Sequence, residues 1–459
     1  MDNSRSSSWQ QASAVNTCVA KRRRILRKTS IAVAIAALSA PATVAAAPDP
    51  LLAQQWALAD PDAIGAREAW TQSSGAGVVV AVLDSGLQAD HPDLAANVWT
   101  NPDEVLNGRD DDKNGIADDV HGASMFDRSA NIIDDNGHGT HVAGIVAALR
   151  DNATGGSGLA PEAKILPVKV LDARKQGDTE SLARGIRYAV DEGARILNVS
   201  INGDGRSESL EAAVRYAGER GAIIVASAGN DARNIELQPS YPASLSDPAI
   251  LSVAAATEDG RLWEQSNTGG SSVDLAAPGA SITSTVSGSG YQSRVGTSAA
   301  APFVSASLAL LSAARPDLPM SALRDAIISS TRRSASLASS LATGGRLNVG
   351  AAMRRVVAAG RWRSPGAQSG EAILRLRTKP RARAGSRVTL RWSAAAAERV
   401  TRWRISLDGH VIATVPARRA RVSRRISRSG RHNWRVVGFA ADGAKVVAAR
   451  RTFRLIAGS

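Results

Sequence analysis

The chain has 459 residues, 56 of them Lys or Arg against 42 Asp or Glu, a net charge of +14, and an apolar fraction of 44%. That apolar fraction is the one expected of a globular protein, the length allows about two domains, and a single cysteine, Cys18, excludes a disulfide framework. No internal repeat is evident.

The first element is an export segment. Lys21 to Lys28 (KRRRILRK) precede an alanine-rich apolar run from Ile31 to Leu38 and the small residues Ala45-Ala46-Ala47. This is the basic, apolar and cleavage-site order of a secretory signal, assigned to residues 1–47, and the run is too short to span a bilayer. Arg22-Arg23 followed by apolar residues and a base also suits a twin-arginine address, so Sec and twin-arginine export stay open. The expected location is secreted or cell-wall associated.

Beyond it, residues 48–350 alternate apolar strand-like runs with helical patterns. Val78–Leu83, Ala163–Leu171, Arg195–Ile201, Ala222–Ala226 and Ile250–Ala254 read as strands. Thr179–Glu192 and Ser207–Arg220 read as amphipathic helices. Such alternation predicts an α/β fold, a parallel sheet flanked by helices. Three short words stand out, the first ending the Val78–Leu83 run and the other two each opening an apolar helical pattern: Val82-Leu83-Asp84-Ser85-Gly86, Asn136-Gly137-His138-Gly139-Thr140-His141 and Gly296-Thr297-Ser298-Ala299-Ala300-Ala301-Pro302. A serine becomes a nucleophile when an imidazole takes its proton, and the imidazole needs a carboxylate to fix its tautomer. Asp84, His138 and Ser298 supply those parts, with helices predicted from His138 through Ala148 and from Ser298 through Leu311. The reading is peptide-bond hydrolysis.

The words and their Asp, His, Ser order resemble the subtilisin-like serine proteases, the subtilases, over roughly residues 50 to 350, from the mature-like start Pro50 to Trp56 onward. The resemblance implies a subtilisin-like fold and an acyl-enzyme mechanism on protein or peptide substrates. It nominates Asn230, in Ala228-Gly229-Asn230, as an oxyanion donor. It also implies substrate-binding edges at Lys175, Gln176 and Gly177, at Ser200, Ile201 and Asn202, and at Ser227, Ala228 and Gly229, between which an extended peptide would add as a strand. Asn202 and Ser240 stand where glycine is usual, and a cis peptide is expected at Tyr241-Pro242. Ala299 replaces a common methionine, which implies tolerance of peroxide, and Phe303 replaces a common histidine. His141 is expected to be structural, since no HExxH spacing supports zinc. The short spacer after Ala47 leaves no room for a folding pro-segment, so residues 48–360 are expected to mature without one.

An acidic insertion separates Asp84 from His138. Asp110, Asp112 and Asn114 alternate before Gly115, like the first half of an oxygen-donor calcium loop, but His121 stands where an EF-hand would place glutamate. Structural calcium held by Asp110, Asp112, Asn114 and Asp118, with Asp119 as an alternative to Asp118, is the expectation; a solvated turn is the other reading.

From residue 351 onward the chain carries 26 basic and 4 acidic residues, against 30 and 38 upstream. Residues 351–370 are read as a linker, its centre Arg361–Gly370. Residues 371–459 are read as a small all-β sandwich of fibronectin III or immunoglobulin type, from alternating runs and turn signals at Asp408-Gly409 and Asp442-Gly443. Its arginines are either the solvent face of a sheet or a footprint for an anionic cell-wall or surface polymer. Nucleic acid is not the expected partner, because no recognition motif is present. A monomer is expected. The alternative to an enzyme is a catalytically silent protein of the same fold that uses the basic domain for binding.

Overall fold

The computed structural model describes residues 47–358 and strand segments between residues 373 and 456. The signal segment with Cys18, the stretch Arg361–Gly370 and both Asp-Gly turns lie outside the described residues.

The main sheet is built from β1 (Val79–Asp84), β2 (Ala123–Ser124), β3 (Lys164–Lys169), β4 (Ile196–Val199), β5 (Ile223–Ser227), β6 (Ile250–Ala256) and β7 (Leu275–Pro278). A hairpin of β8 (Ile282–Val286) and β9 (Gly290–Arg294) forms its own ribbon, and β10 (Arg332–Arg333) and β11 (Gly345–Arg346) complete one edge. The nine strands lie in the order β10-β11-β7-β6-β5-β4-β1-β3-β2, all parallel except the β10/β11 pair. The strands expected from the sequence form within two residues of the predicted bounds. A parallel strand covered on both faces must be apolar at every position. β1 shows it: Val80 and Val82 enter one core cluster, Ala81 and Leu83 the other.

The helices are α1 (Trp56–Ala59), α2 (Ala66–Trp70), α3 (His138–Ala147), α4 (Thr179–Asp191), α5 (Glu208–Glu219), α6 (Thr297–Ala314), α7 (Met320–Ser329) and α8 (Val349–Ala358). Residues of α4 and α5 pack in the cluster of Ala81 and Leu83, and residues of α3 and α6 in that of Val80 and Val82. Asp178 caps α4 by accepting from the Ser181 amide at 2.6 Å. α6 is the described helix long and apolar enough to cross a membrane; it is 78% buried inside the protein and serves as a core helix. α8 runs across the expected boundary at residue 350. Ala352, Met353 and Val356 are buried in the core beside α2 and α7, so residues 351–358 belong to the packed domain and not to a linker.

The tail forms strands where alternation predicted them. β12 (Ile373–Arg377), β14 (Arg387–Ala395) and β17 (Arg421–Arg425) make one sheet; β13 (Ala382–Arg383), β15 (Arg402–Leu407), β16 (His410–Pro416), β18 (Gly430–Phe439) and β19 (Lys445–Ile456) make another. Trp403 and Ile405 are buried on either side of exposed Arg404, the period-two pattern of a half-covered strand.

Candidate active site

The carboxyl ends of β1, β4 and β5 open at one rim of the sheet, the usual place for ligands in a parallel α/β fold. Asp84 ends β1 and is fully buried. Its Oδ1 accepts from the Ser85 amide at 2.7 Å and from Nδ1 of His138 at 2.7 Å. A carboxylate only accepts here, so Nδ1 carries the proton and Nε2 is left as the basic nitrogen. His138 opens α3. The close crossing of α3 over β1 requires Gly139, where a Cβ would strike the Gly86 carbonyl.

Two residues that sequence reasoning did not single out hold this pair. Asp134 accepts five hydrogen bonds, from Ser85 Oγ, the amides of Asn136, Gly137 and Thr140, and Thr140 Oγ1. Burial alone would raise its pKa, but the five donors win and it lies below the usual carboxylate value. Lys169, in register with Asp84 on β3, is buried and donates to the carbonyls of Ser85 and Ile133 and to Asp135.

Ser298 stands in the first turn of α6, where amides without intrahelical partners face a developing negative charge. Its hydroxyl donates to the Ser200 carbonyl at 2.8 Å, and Ser200 Oγ donates back to the Ser298 carbonyl at 2.9 Å, so the end of β4 and the start of α6 are locked together. Asn198 and Ser305 extend that lock, with Asn198 Nδ2 donating to Ser200 Oγ and Ser305 Oγ donating to Asn198. Asn230 follows β5. Its Oδ1 accepts from the amide and hydroxyl of Thr297, both at 2.9 Å. A backbone amide cannot accept, so the orientation of the Asn230 amide is settled and Nδ2 is the free end.

The sequence matches the profile of the subtilase family over residues 75–348. It is 37% identical to thermitase from Thermoactinomyces vulgaris over 251 residues, 55% of this chain and 80% of that protein. It is 42% identical to the cell wall-associated protease of Bacillus subtilis over 54% of this chain and 25% of that protein. A solved structure of a protease from Pseudoalteromonas arctica superposes with a TM-score of 0.56 at 30% identity, covering 68% of this chain and 99% of the other. The chain belongs to the subtilase family of serine peptidases.

Two of the segments expected as walls meet the start of α6: Ser200 bonds Ser298, and the Gly229 amide donates to Thr297 Oγ1 at 3.1 Å. Ser200 is buried, Ile201 is partly buried against the core cluster of Ala81 and Leu83, and Asn202 is exposed. Ser227 ends β5, followed by Ala228 and Gly229. A Cβ on Gly229 would lie 3.1 Å from Asn202 Nδ2, so the two walls meet at that rim. The Tyr241-Pro242 peptide is cis, and Tyr241 pairs with Gly203. Lys175, Gln176 and Gly177 lie on a turn after β3 closed by Asp172, which accepts from the Gln176 amide at 2.8 Å. Ala299 and Phe303 are both buried in α6, in the core cluster of Val80 and Val82.

His141 donates from Nε2 to the carbonyls of Ile282 and Gln292, at 3.1 and 3.2 Å. Burial, reinforced by the charge of Arg294, pushes its pKa down to about 3. A folded value below the unfolded one means that the unfolded chain takes up the extra proton between about pH 6.5 and 3. Stability supplied by neutral His141 is therefore complete above pH 6.5 and is lost as pH falls through that window. In a Ser298→Ala background, to prevent self-digestion, denaturation between pH 7 and 5 should cost the protein up to about 2 kcal/mol through this group. His141→Gln should show a shallower acid slope; an equal slope would place the acid sensitivity elsewhere.

The acidic insertion differs from its expected ligand set. Glu104, Asp112 and Asp119 bring carboxylate oxygens within 4.8 Å of one another. Asp110 instead accepts from the amides of Asn114 and Gly115, and Asp118 from those of Asn107 and Gly108, so both are spent on the loop backbone. Asn114 points its amide into the cluster, toward Asp112, Asp119 and Glu192. Tyr188 donates to Asp119 at 2.6 Å. Burial, with Asp112 and Asp119 adding repulsion, pushes Glu192 up to about 7. This hard oxygen donor set with uncompensated negative charge fits calcium.

Proposed function

We propose that this subtilase is an exported serine endopeptidase, with Asp84, His138 and Ser298 as its catalytic triad and Asn230 as its oxyanion donor. The observation that carries the reading is the 2.7 Å bond from His138 Nδ1 to buried Asp84, which leaves Nε2 basic at the start of α3, the helix that packs against Ser298-bearing α6. On binding substrate, Ser298 Oγ exchanges the Ser200 carbonyl for His138 Nε2 by rotation about its Cα–Cβ bond. It then attacks the peptide carbonyl while Nε2 takes its proton. The tetrahedral oxyanion is held by Asn230 Nδ2 and the α6 amides, and collapse passes the proton from His138 to the leaving amine, giving an acyl-enzyme that water resolves. Hydrolysis of a casein digest or a peptide library by the full chain tests it; a folded chain that turns over neither sinks the reading in favour of a silent binding protein.

Glu104, Asp112 and Asp119 are proposed to hold structural calcium, with the carbonyl oxygen of Asn114 available if its amide turns. A cation saturating such a site stabilises the fold by about 3 kcal/mol at a hundredfold excess over its Kd, which is several degrees in Tm for a domain of this size. Chelation should lower Tm by that amount, and Asp112→Ala should abolish the response. A melting curve indifferent to chelator would leave the loop as a solvated turn.

Contacts between β12 and β19 support a two-sheet sandwich for the tail. Its excess of 26 basic over 4 acidic residues supports retention on an anionic surface polymer, which added salt should release and a chain ending near Gly360 should lack.

A further inference from the structure

Two segments meet the loop that precedes His138, and each brings a cation. Arg294, the last residue of β9 and four positions before Ser298, donates from Nη1 to the Gly137 carbonyl at 3.0 Å, so its guanidinium lies against the residue that precedes His138. From the other side, Asn136 Nδ2 donates to the Ala173 carbonyl at 2.8 Å, which ties the turn bearing Lys175 to the same loop. Lys175 is exposed and its backbone is left-handed at φ 60.

The two cations belong to segments tied to the same loop, and partial desolvation first, then the charge of Arg294, lower the pKa of Lys175. Both also sense Asp84 and Asp134. Those carboxylates keep their charge, but their near partners are other groups, Ser85 and His138 for Asp84 and its five donors for Asp134, and neither reaches the two cations as an ion pair. Among the described residues, neither Lys175 nor Arg294 has a carboxylate within ion-pair distance, whereas Lys169 beside them has Asp135. A generally basic surface does not explain this, since acidic residues outnumber basic ones 38 to 30 upstream of residue 351.

Resting on the peptidase reading above, we propose that the cleft selects peptides carrying an acidic side chain close to the scissile bond, with Arg294 and Lys175 as the specificity-determining residues. A substrate carboxylate entering between them would supply the missing counter-charge, and its attraction would fade with salt, as for any pair near the surface.

The test compares fluorogenic peptides that differ only by Glu or Gln at one position, scanned from P4 to P2′, in 50 mM salt. At one position or more, kcat/KM is expected to favour Glu by roughly fivefold or more, mainly through KM, with the ratio shrinking in 0.5 M salt. Arg294→Gln and Lys175→Gln should each reduce the ratio, and Arg294→Lys, which keeps the charge, should restore most of it. A ratio near one at every position in the wild-type chain, while the Gln peptides are cleaved, would overturn the inference and leave the peptidase reading intact. So would a Glu preference that survives both neutral variants. No cleavage of any peptide, together with no covalent capture of Ser298, would overturn both.

Discussion

Replacing Ser298 with alanine is expected to lower kcat on a peptide substrate by on the order of a million-fold, the size of loss reached when the nucleophile is removed from a triad of this kind. The remaining rate would come from binding and the oxyanion donors alone. Folding should survive, because the hydroxyl makes one side-chain bond, to the Ser200 carbonyl, and its removal leaves the return bond from Ser200 Oγ to the Ser298 carbonyl in place. The expected cost is about 1 kcal/mol, measurable as a small drop in Tm. Activity within tenfold of wild type would remove Ser298 from the chemistry.

Asn230→Ala is expected to reduce kcat by roughly a hundred- to thousandfold with KM little changed, because Nδ2 meets a full negative charge only in the transition state. The side chain has a second duty, since Oδ1 receives the Thr297 amide and hydroxyl. Asn230→Asp separates the two: it keeps the acceptor for Thr297 and replaces the donor by an oxygen that repels the oxyanion. Both variants should lose turnover, and the aspartate should keep more of the wild-type Tm. A variant that raises KM and leaves kcat alone would show binding instead of oxyanion stabilisation.

Much of this was legible in the chain. A parallel strand buried on both faces cannot hide its composition, so runs such as Val80–Leu83 and Ile223–Ala226 declare themselves, and Asp84 at a strand end, with His138 and Ser298 at helix starts, stand inside short recognisable words. What stayed hidden depends on partners far away in sequence. Asp134 collects its donors from Ser85 and Thr140, and only the crossing of α3 over β1 brings these together. The lock of Asn198, Ser200 and Ser305 joins β4 to α6 across about a hundred residues of chain.

The acidic insertion shows a different limit. Alternation of Asp110, Asp112 and Asn114 suggested a local loop of ligands, but the left-handed residues Lys113, Gly115 and Asp118 reverse the chain repeatedly. Asp110 and Asp118 turn back to cap backbone amides. Glu104 and Asp119 face Asp112 in their place, with Glu192 reaching in from α4. The domain boundary was misplaced for a simpler reason: the arginines of α8 drew attention to the basic tail, while Ala352, Met353 and Val356 on its other face were already core.

An activated Ser298 is open to covalent capture. Calcium-loaded full-length protein treated with a fluorophosphonate should gain one equivalent of adduct, located by mass spectrometry on the peptide that contains Ser298. The adduct should vanish in Ser298→Ala and form far more slowly in His138→Ala. A folded protein that gains no adduct, or carries it on another residue, would contradict the account.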